Sequence, residues 1–266
     1  MVEHTSESQE DVTVRGHRLA GVFIVFAVAL GLSARHFVPS KQGDHELSKE
    51  EQSFAPARRR MVERDLRGRD ITDRKVLHVM GEVPRHRFVN RRHVNEAYAD
   101  HPLPIGEGQT ISQPYIVALM TQWLHVGEGD TVLEVGTGSG YQAAVLAEIV
   151  DQVYTVEIRE RLAEQADTLL HALGYTNISV KAADGYFGWK EHAPYDGIIV
   201  TAAANHVPPP LIRQLKDGGR IVIPVGNPYS YQKLVLLEKK DEEIISQDIT
   251  GVLFVPMVGE IEKDRK

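Results

Sequence analysis

Residues 131–141 read TVLEVGTGSGY, and this stretch decides the fold class. An apolar run rich in β-formers is followed by glycines at every second position, and residues 141–150 then have the pattern of a helix. Strand, glycine turn and helix in this order open a nucleotide-binding α/β unit. The glycines let the backbone turn sharply and let a ligand approach it, and the helix start offers unpaired N–H groups to a polar or anionic ligand.

The spacing of the glycines distinguishes between cofactors. A dinucleotide fingerprint, G-x-G-x-x-G, counted from Gly136 would require a third glycine where the chain has Tyr141. The observed pattern is E-x-G-x-G-x-G, counted from Glu134. It resembles the first motif of class I S-adenosylmethionine-dependent methyltransferases, whose loop packs against the methionine part of the cofactor. The alternatives are a glycine turn without a ligand and a nicotinamide or flavin enzyme.

Composition excludes several classes of function. The formal net charge is −7, so the chain lacks the basic footprint of a protein that binds DNA or RNA non-specifically. There are no cysteines, which excludes disulfides, thiolate chemistry and cysteine-based zinc sites. The histidines are scattered and form no H-E-x-x-H or similar spacing. We therefore expect no metal and no nucleic-acid partner.

An apolar segment over residues 19–34 follows a short basic stretch. Its length is about 16 residues, whereas a helix that spans a membrane needs about 20. The segment can be interpreted as a signal peptide, a short membrane anchor, an untranslated upstream stretch or a buried core helix. The basic flank would direct the rest of an anchored chain outward, whereas S-adenosylmethionine is a cytosolic metabolite. We expect a cytoplasmic catalytic domain, with anchoring or export through residues 19–34 as the alternative.

The remaining chain divides into a tail and one catalytic domain. Residues 1–57 are expected to be a tail whose last part, residues 41–57, is a charged linker. Residues 58–266 form the domain, which begins with a helical cap over residues 58–67 and 73–81. Thr72 or Asp73 can cap the second of these helices. The polar stretch that follows, residues 98–117, is expected to be an ordered loop, and Ser112 can cap the helix after it.

Seven predicted strands indicate the fold class. The run at 131–135 is followed by strands at residues 152–158, 178–182, 195–202, 220–225, 232–240 and 244–255. Helices are predicted between the early strands at 161–173 and 208–215, and Asp217-Gly218-Gly219 reads as a turn. The last two strands are expected to form an antiparallel pair at the sheet edge. The fold class is therefore α/β, a doubly wound, mostly parallel seven-stranded sheet with an N-terminal helical cap.

Several polar residues occupy positions where such folds bind nucleotides. Glu157 lies about 20 residues after the glycine turn, where a carboxylate usually contacts the ribose hydroxyls. Asp184 and Gly185 follow the third strand, where a carboxylate can accept from an adenine amino group, although Asp-Gly is also a common turn. Thr110 and Ser112 are either turn and capping residues or part of a loop that closes over the reactive end of the cofactor.

Four motifs occur in one order along the chain: GQTISQP at 108–114, LEVGTGSGYQ at 133–142, YDGIIVTAA at 195–203 and GGRIVIPVG at 218–226. Together they resemble the protein-L-isoaspartate O-methyltransferase family, and GQTISQP is specific to it. The resemblance covers about residues 61–260 and leaves out the first sixty residues. It implies methyl transfer from S-adenosylmethionine to the free α-carboxylate of L-isoaspartyl residues, with D-aspartyl residues as a further substrate, in damaged proteins and peptides.

The resemblance also implies roles for particular residues. Ser112 matches the family's active-site serine, with Thr110 and Gln113 as supporters, and His206 with the Pro208–Pro210 run is either a substrate wall or a plain loop. The cofactor-binding positions are Thr110, Glu134, Gly136, Thr137, Gly138, Glu157, Asp184 and Gly185. We expect a monomer without a metal. Two alternatives are a class I methyltransferase for another carboxylate or small molecule, and a membrane-attached binding module without turnover; the intact motif residues argue against the second.

Overall fold

The computed structural model of the chain describes residues 44–265. The apolar segment at residues 19–34 lies outside this range, so the interpretations of it stay predictions. Among the described residues, no helix combines the length and the apolar character that crossing a bilayer requires.

A seven-stranded sheet forms the centre of the domain, as predicted. The strands in chain order are β1 Leu103–Gly106, β2 Gln109–Ile111, β3 Thr131–Val135, β4 Gln152–Glu157, β5 Ile178–Ala182, β6 Tyr195–Val200, β7 Leu215–Gly226, β8 Gln232–Lys240 and β9 Glu243–Val252. The large sheet has the order β5-β4-β3-β6-β7-β8-β9, and β1 pairs with β2 in a separate hairpin. Strands β3 to β7 are parallel, whereas β8 and β9 are antiparallel to their neighbours.

Helices cover both faces of this sheet. They are α1 Asp44–Arg60, α2 Arg74–Glu82, α3 Pro114–Leu124, α4 Tyr141–Ala147, α5 Glu160–Ala172 and α6 Pro209–Arg213. Along β3, Val132 belongs to an apolar cluster that includes residues of α3 and α4, whereas Leu133 and Val135 belong to a second cluster that includes α6. This alternation is the period of two that a strand imposes on its side chains. It explains why β3 is apolar on both faces.

The prediction of a linker at residues 41–57 is wrong. Helix α1 occupies most of it and continues into a π-helical segment, Met61–Arg67, whose Met61 and Leu66 are fully buried. The charged composition suggested a linker, but tertiary contacts hold the helix in place. The Phe54 ring stacks on the His86 ring at 4.3 Å between centroids, and a carboxylate oxygen of Glu51 lies 3.1 Å from His86 Nε2.

The rest of the cap agrees with the prediction. Asp73 caps α2, because its carboxylate accepts from the backbone N–H groups of Lys75 and Val76 at 2.8 and 3.1 Å. Two 3-10 turns, Arg85–Phe88 and Arg91–Glu96, complete the helical cap.

Other boundaries differ from the sequence-based ones. The predicted loop at residues 98–117 contains the β1–β2 hairpin. Ser112 does not cap α3, since the N-cap position is Gln113 and Pro114 starts the helix. The Asp217-Gly218-Gly219 turn falls inside β7, where the pairing with β6 shifts register. Strand β9 ends at Val252, whereas the predicted strand extends to residue 255. Residue 255 instead borders the candidate active site.

Candidate active site

A cleft lies at the carboxyl end of the sheet, beside β3, where the order of the strands reverses. The neighbours of β3 are β4 on one side and β6 on the other, and such a switch point is where open α/β sheets bind ligands. Eight of the predicted site residues line this cleft: Thr110, Ser112, Glu134, Gly136, Thr137, Gly138, Glu157 and Gly185. The carboxylate of the ninth, Asp184, is used elsewhere.

The glycine loop between β3 and α4 needs its glycines for two different reasons. Gly136 has a φ of 101°, and a Cβ there would overlap the hydroxyl of Thr201. That hydroxyl lies 2.6 Å from the Gly136 carbonyl oxygen and 3.1 Å from that of Val135, so it ties the end of β6 to the loop. Gly140 has a φ of 85°, and a Cβ there would lie 3.2 Å from the Leu170 side chain of α5. Side chains at these positions would therefore push the loop into the cleft or away from α5.

The backbone N–H groups of three glycines in the loop are engaged within the protein. Gly136 donates to the Val156 carbonyl at 2.8 Å, and Gly140 donates to the Thr137 carbonyl at 2.8 Å. Gly138 donates to a carboxylate oxygen of Glu157 at 2.9 Å. At these three glycines the loop therefore offers a ligand close approach to its backbone rather than a free N–H group.

Glu157 stands at the end of β4, where the spacing from the glycines places it. One of its oxygens accepts from Gly138, as described, and the other accepts from the backbone N–H of Arg159 at 3.0 Å. Each carboxylate oxygen can accept two hydrogen bonds, so both keep an acceptor position for a hydroxyl. The side chain thus fixes the glycine loop and remains available to a ligand in the cleft.

Glu134 is a buried carboxyl group on the floor of the cleft. Its Oε2 accepts from the Thr155 hydroxyl at 2.6 Å, and the Thr155 oxygen lies 2.6 Å from the Thr137 hydroxyl oxygen. Because Thr155 gives its single proton to Glu134, Thr137 must donate to Thr155. The second carboxyl oxygen, Oε1, has no hydrogen-bond partner among the described residues. Burial, reinforced by the charge of Glu157, raises the pKa of Glu134 to about 8.

The serine loop, residues 109–113, forms the opposite wall. Thr110 and Ser112 line both the cleft and an adjoining groove, which is also bordered by Tyr231 and Leu253. The Ser112 carbonyl accepts from Nη2 of Arg85 at 2.7 Å. The next side chain, Gln113, donates to the carboxylate of Asp100 at 2.7 Å. The loop is therefore anchored at the serine carbonyl and at the residue after it, at the junction of two cavities.

The β1–β2 hairpin lies against the glycine loop. A Cβ at Gly138 would lie 3.4 Å from the Ile105 side chain of β1. At the hairpin turn, Glu107 forms an exposed ion pair with Arg161 of α5 at 3.4 Å. The Gln109 amide oxygen, oriented toward Arg159, accepts from that guanidinium at 2.9 and 3.1 Å. These contacts hold the hairpin beside the cleft, which its residues Gln109, Thr110 and Ile111 border.

Two predicted features lie outside the cleft. Asp184 caps a 3-10 turn by accepting from Tyr186 N–H at 2.9 Å, and its other oxygen accepts from Glu260 N–H at 2.7 Å. His206 and the Pro208–Pro210 run do not border either cavity at Ser112 in the part of the chain that the structure describes. Gly185, by contrast, lines the cleft, and a Cβ there would overlap Val135.

Sequence reasoning missed three features of the site. Thr201 lies in the YDGIIVTAA motif, and a polar residue at the carboxyl end of a buried strand is a usable signal for a site residue. The chain after β9, residues 255–258, lines the cleft, but nothing in its apolar sequence points there. Arg85 contacts the serine loop from a distant part of the chain, and no spacing rule relates the two.

The arrangement suits a ligand with both hydroxyl and cationic groups. Glu157 presents a carboxylate to hydroxyls, Glu134 has an unpartnered buried oxygen, and Gly136 borders the cleft without a side chain. S-adenosylmethionine carries a ribose, an α-amino group and a sulfonium, so the residues fit it. Within residues 44–265, no three metal-ligating side chains come together.

Comparison with known proteins identifies the family. The family model described as Protein-L-isoaspartate(D-aspartate) O-methyltransferase matches residues 57–262. The chain is 57% identical over 213 residues to protein-L-isoaspartate O-methyltransferase 2 of Shewanella sediminis, covering 80% of this chain and 87% of that relative. It is 58% identical over 194 residues to protein-L-isoaspartate O-methyltransferase 2 of a Polaromonas species, covering 73% of this chain and 92% of the relative.

Solved structures agree with the sequence comparisons. A protein-L-isoaspartate O-methyltransferase superposes with a TM-score of 0.72 at 30% identity, covering 78% of this chain and 69% of that one. A putative enzyme of the same kind from Plasmodium falciparum, in complex with S-adenosyl-L-homocysteine, gives a TM-score of 0.65 at 26% identity, covering 74% and 96%. The chain therefore belongs to the protein-L-isoaspartate(D-aspartate) O-methyltransferase family.

Proposed function

We propose that the cleft and the groove that meet at Ser112 are the site where this methyltransferase acts on damaged proteins. The reaction transfers a methyl group from S-adenosylmethionine to the free α-carboxylate of an L-isoaspartyl residue and so begins repair; D-aspartyl residues are a proposed second substrate. The observation that carries the proposal is that Thr110, Ser112 and Thr201 border both cavities. A cofactor in one cavity and a peptide in the other would meet at these hydroxyls.

The cofactor side of the site is assigned to the cleft. Glu157 accepts from the ribose hydroxyls, and the glycine loop with Thr137 and Gly185 forms the surface against which the cofactor packs. Glu134 offers its unpartnered oxygen to a donor group. Asp184 does not line the cleft itself but directly precedes Gly185, which does. It remains the proposed acceptor for the adenine amino group, because each of its oxygens has a second lone pair beside the N–H that it already accepts.

The substrate side requires positioning rather than proton transfer. A carboxylate is ionised at neutral pH, so it needs no general base to become a nucleophile. When bound, S-adenosylmethionine supplies the methyl group on an activated sulfonium. The chain has to hold the carboxylate in line with that group, and such positioning accounts for a large share of the barrier in many enzymes. Ser112 donates its hydroxyl proton to the substrate carboxylate, and Thr110 and Gln113 support the loop.

The described domain is proposed to act as a monomer in the cytoplasm, where the cofactor is made. Attachment or export through residues 19–34 remains the alternative. Cell fractionation, together with the mass of the mature N-terminus, distinguishes these cases: a cleaved or membrane-bound product would contradict the cytoplasmic assignment.

The proposed role of Ser112 is tested with labelled S-adenosylmethionine and two peptides that differ only in an isoaspartyl or an aspartyl linkage. We expect label on the isoaspartyl peptide alone. Ser112→Ala should reduce kcat/KM for it by about 5- to 150-fold, which corresponds to about 1–3 kcal/mol for an unpaired polar partner. Ser246→Ala, an exposed serine on β9, is the matched control. Full turnover by Ser112→Ala with normal cofactor binding would refute the role.

A further inference from the structure

Arg85 is a fully buried arginine that joins three parts of the site. Its Nε donates to the Ala97 carbonyl at 2.7 Å, and its Nη2 donates to the Ser112 carbonyl at 2.7 Å. Its guanidinium carbon lies 4.8 Å from the centre of the Tyr141 ring, at the start of α4 directly after the glycine loop. One side chain therefore contacts the helical cap, the serine loop and the helix that follows the glycine loop.

Arg85 forms no ion pair with a carboxylate among the described residues, although the charge of Asp100 acts on it from a distance. Its Nη1 has no hydrogen-bond partner in that part of the chain. Burial lowers the pKa of Arg85 to about 10, which still leaves the group protonated at neutral pH. Burying a charge that has no ion-pair partner costs several kcal/mol. The hydrogen bonds of Arg85 to two backbone carbonyls offset part of that cost. The arginine is therefore a costly donor to these carbonyls, which favours a role beyond stability.

We propose that Arg85 is a positioning residue for methyl transfer, holding the Ser112 carbonyl so that the serine hydroxyl faces the junction of the two cavities. The proposal rests on the role assigned to Ser112 above. Arg85 fixes the carbonyl of the serine, and Asp100 fixes the following side chain, Gln113. The backbone on the carboxyl side of the serine is thus held at two points, which restricts the directions that its hydroxyl can take.

The buried positive charge has a second, separable effect. It favours an anionic carboxylate beside Ser112 before reaction, but that carboxylate loses its charge as it accepts the methyl group. Interactions that are stronger in the ground state than in the transition state lower KM without raising kcat. The charge of Arg85 should therefore be visible in the KM for the peptide, and its hydrogen bond to Ser112 in kcat.

The test combines Arg85 and Ser112 variants of the full chain in a double-mutant cycle. Arg85→Met keeps the length of the side chain and removes both charge and donors. We expect it to lower kcat by about tenfold or more, and to leave the affinity for S-adenosylhomocysteine within about twofold of the original. The double variant Arg85→Met/Ser112→Ala should have a kcat within about twofold of that of Ser112→Ala, because Arg85 acts through the serine. Arg87→Met, an exposed arginine on the same 3-10 turn, is the control.

The possible outcomes separate this inference from the proposed function. Additive effects of the two substitutions, or a parallel loss of cofactor affinity and kcat, would assign Arg85 a structural role. If Arg85→Met does not fold, Arg85→Lys decides: it keeps the charge but cannot bridge both carbonyls in the same way, so KM should stay near normal while kcat falls. An unchanged kcat in Arg85→Lys overturns the inference. If the original chain leaves the isoaspartyl peptide unlabelled, the proposed function itself fails.

Discussion

Replacing Gly136 with alanine should damage both the stability of the domain and its binding of the cofactor. Gly136 has a φ of 101°, which an alanine adopts only under strain. The new Cβ would also overlap the Thr201 hydroxyl, which bonds to the carbonyls of Gly136 and Val135. The substitution therefore strains the backbone and displaces a hydroxyl that joins the two central strands at the cleft.

The size of the effect follows from these two terms. Backbone strain of this kind costs about 1–3 kcal/mol. Losing one net hydrogen bond of the Thr201 hydroxyl costs about 0.5–1.5 kcal/mol. Together they predict a loss of about 1.5–4.5 kcal/mol in the free energy of unfolding, which for a domain of this size lowers Tm by about 3–18 °C.

A matched control separates the strain from the overlap. Gly174, which ends α5, has a φ of 88°, and a Cβ there would meet nothing within 4 Å. Gly174→Ala should therefore show the strain alone, and it should leave cofactor affinity unchanged because this glycine does not border the cleft. Adding Thr201→Ala to Gly136→Ala removes the overlap and should recover stability relative to Gly136→Ala alone.

The assays are urea unfolding and titration with S-adenosylhomocysteine. Gly136→Ala should lose more stability than Gly174→Ala and should be the only one of the two to lose affinity. Equal losses of stability in the two variants, with unchanged affinity in both, would refute the reasoning about the glycine loop.

Two further predictions concern the carboxylates of the cleft. Glu157→Ala removes the acceptor of the Gly138 N–H and the proposed ribose partner, so the free energy of binding S-adenosylhomocysteine should weaken by about 1–3 kcal/mol. The control, Glu164→Gln on the exposed side of α5, should leave this affinity unchanged. Equal affinities in the two variants would contradict the ribose assignment. The pKa of Glu134 is raised by burial from its ordinary value of 4.5 to about 8, so the stability it contributes is fully present below about pH 4.5 and is lost as pH rises through 8. We therefore compare the free energies of unfolding of the original chain and of Glu134→Gln across this pH window. The original chain's advantage should decline by on the order of 1 kcal/mol per pH unit. A constant difference would contradict a neutral buried carboxyl group.

The parts of the fold that local sequence determines were predicted well. The glycine loop, the parallel strands and the place of Glu157 follow from a period of two, from turn chemistry and from spacing within one βαβ unit. Asp73 as a helix cap is likewise a local feature, since it bonds to N–H groups two and three residues away.

The errors arose where tertiary contacts decide the outcome. The charged sequence of helix α1 favours a linker, because its few apolar contacts, through Phe54 and Ala57, do not stand out in it. Asp184 follows the third strand as expected, yet one of its oxygens accepts from Glu260, near the other end of the domain. The contact of Arg85 with Ser112 joins residues 27 positions apart, and no local pattern encodes it.

The most direct test of the account is a crystal structure of this chain with S-adenosylhomocysteine in the cleft and an isoaspartyl peptide in the groove. We predict that the free carboxylate lies about 2.5–3.0 Å from the Ser112 hydroxyl oxygen, on the side that faces the sulfur. A carboxylate bound away from Ser112, or a cofactor seated anywhere other than against Gly136 and Glu157, would contradict it.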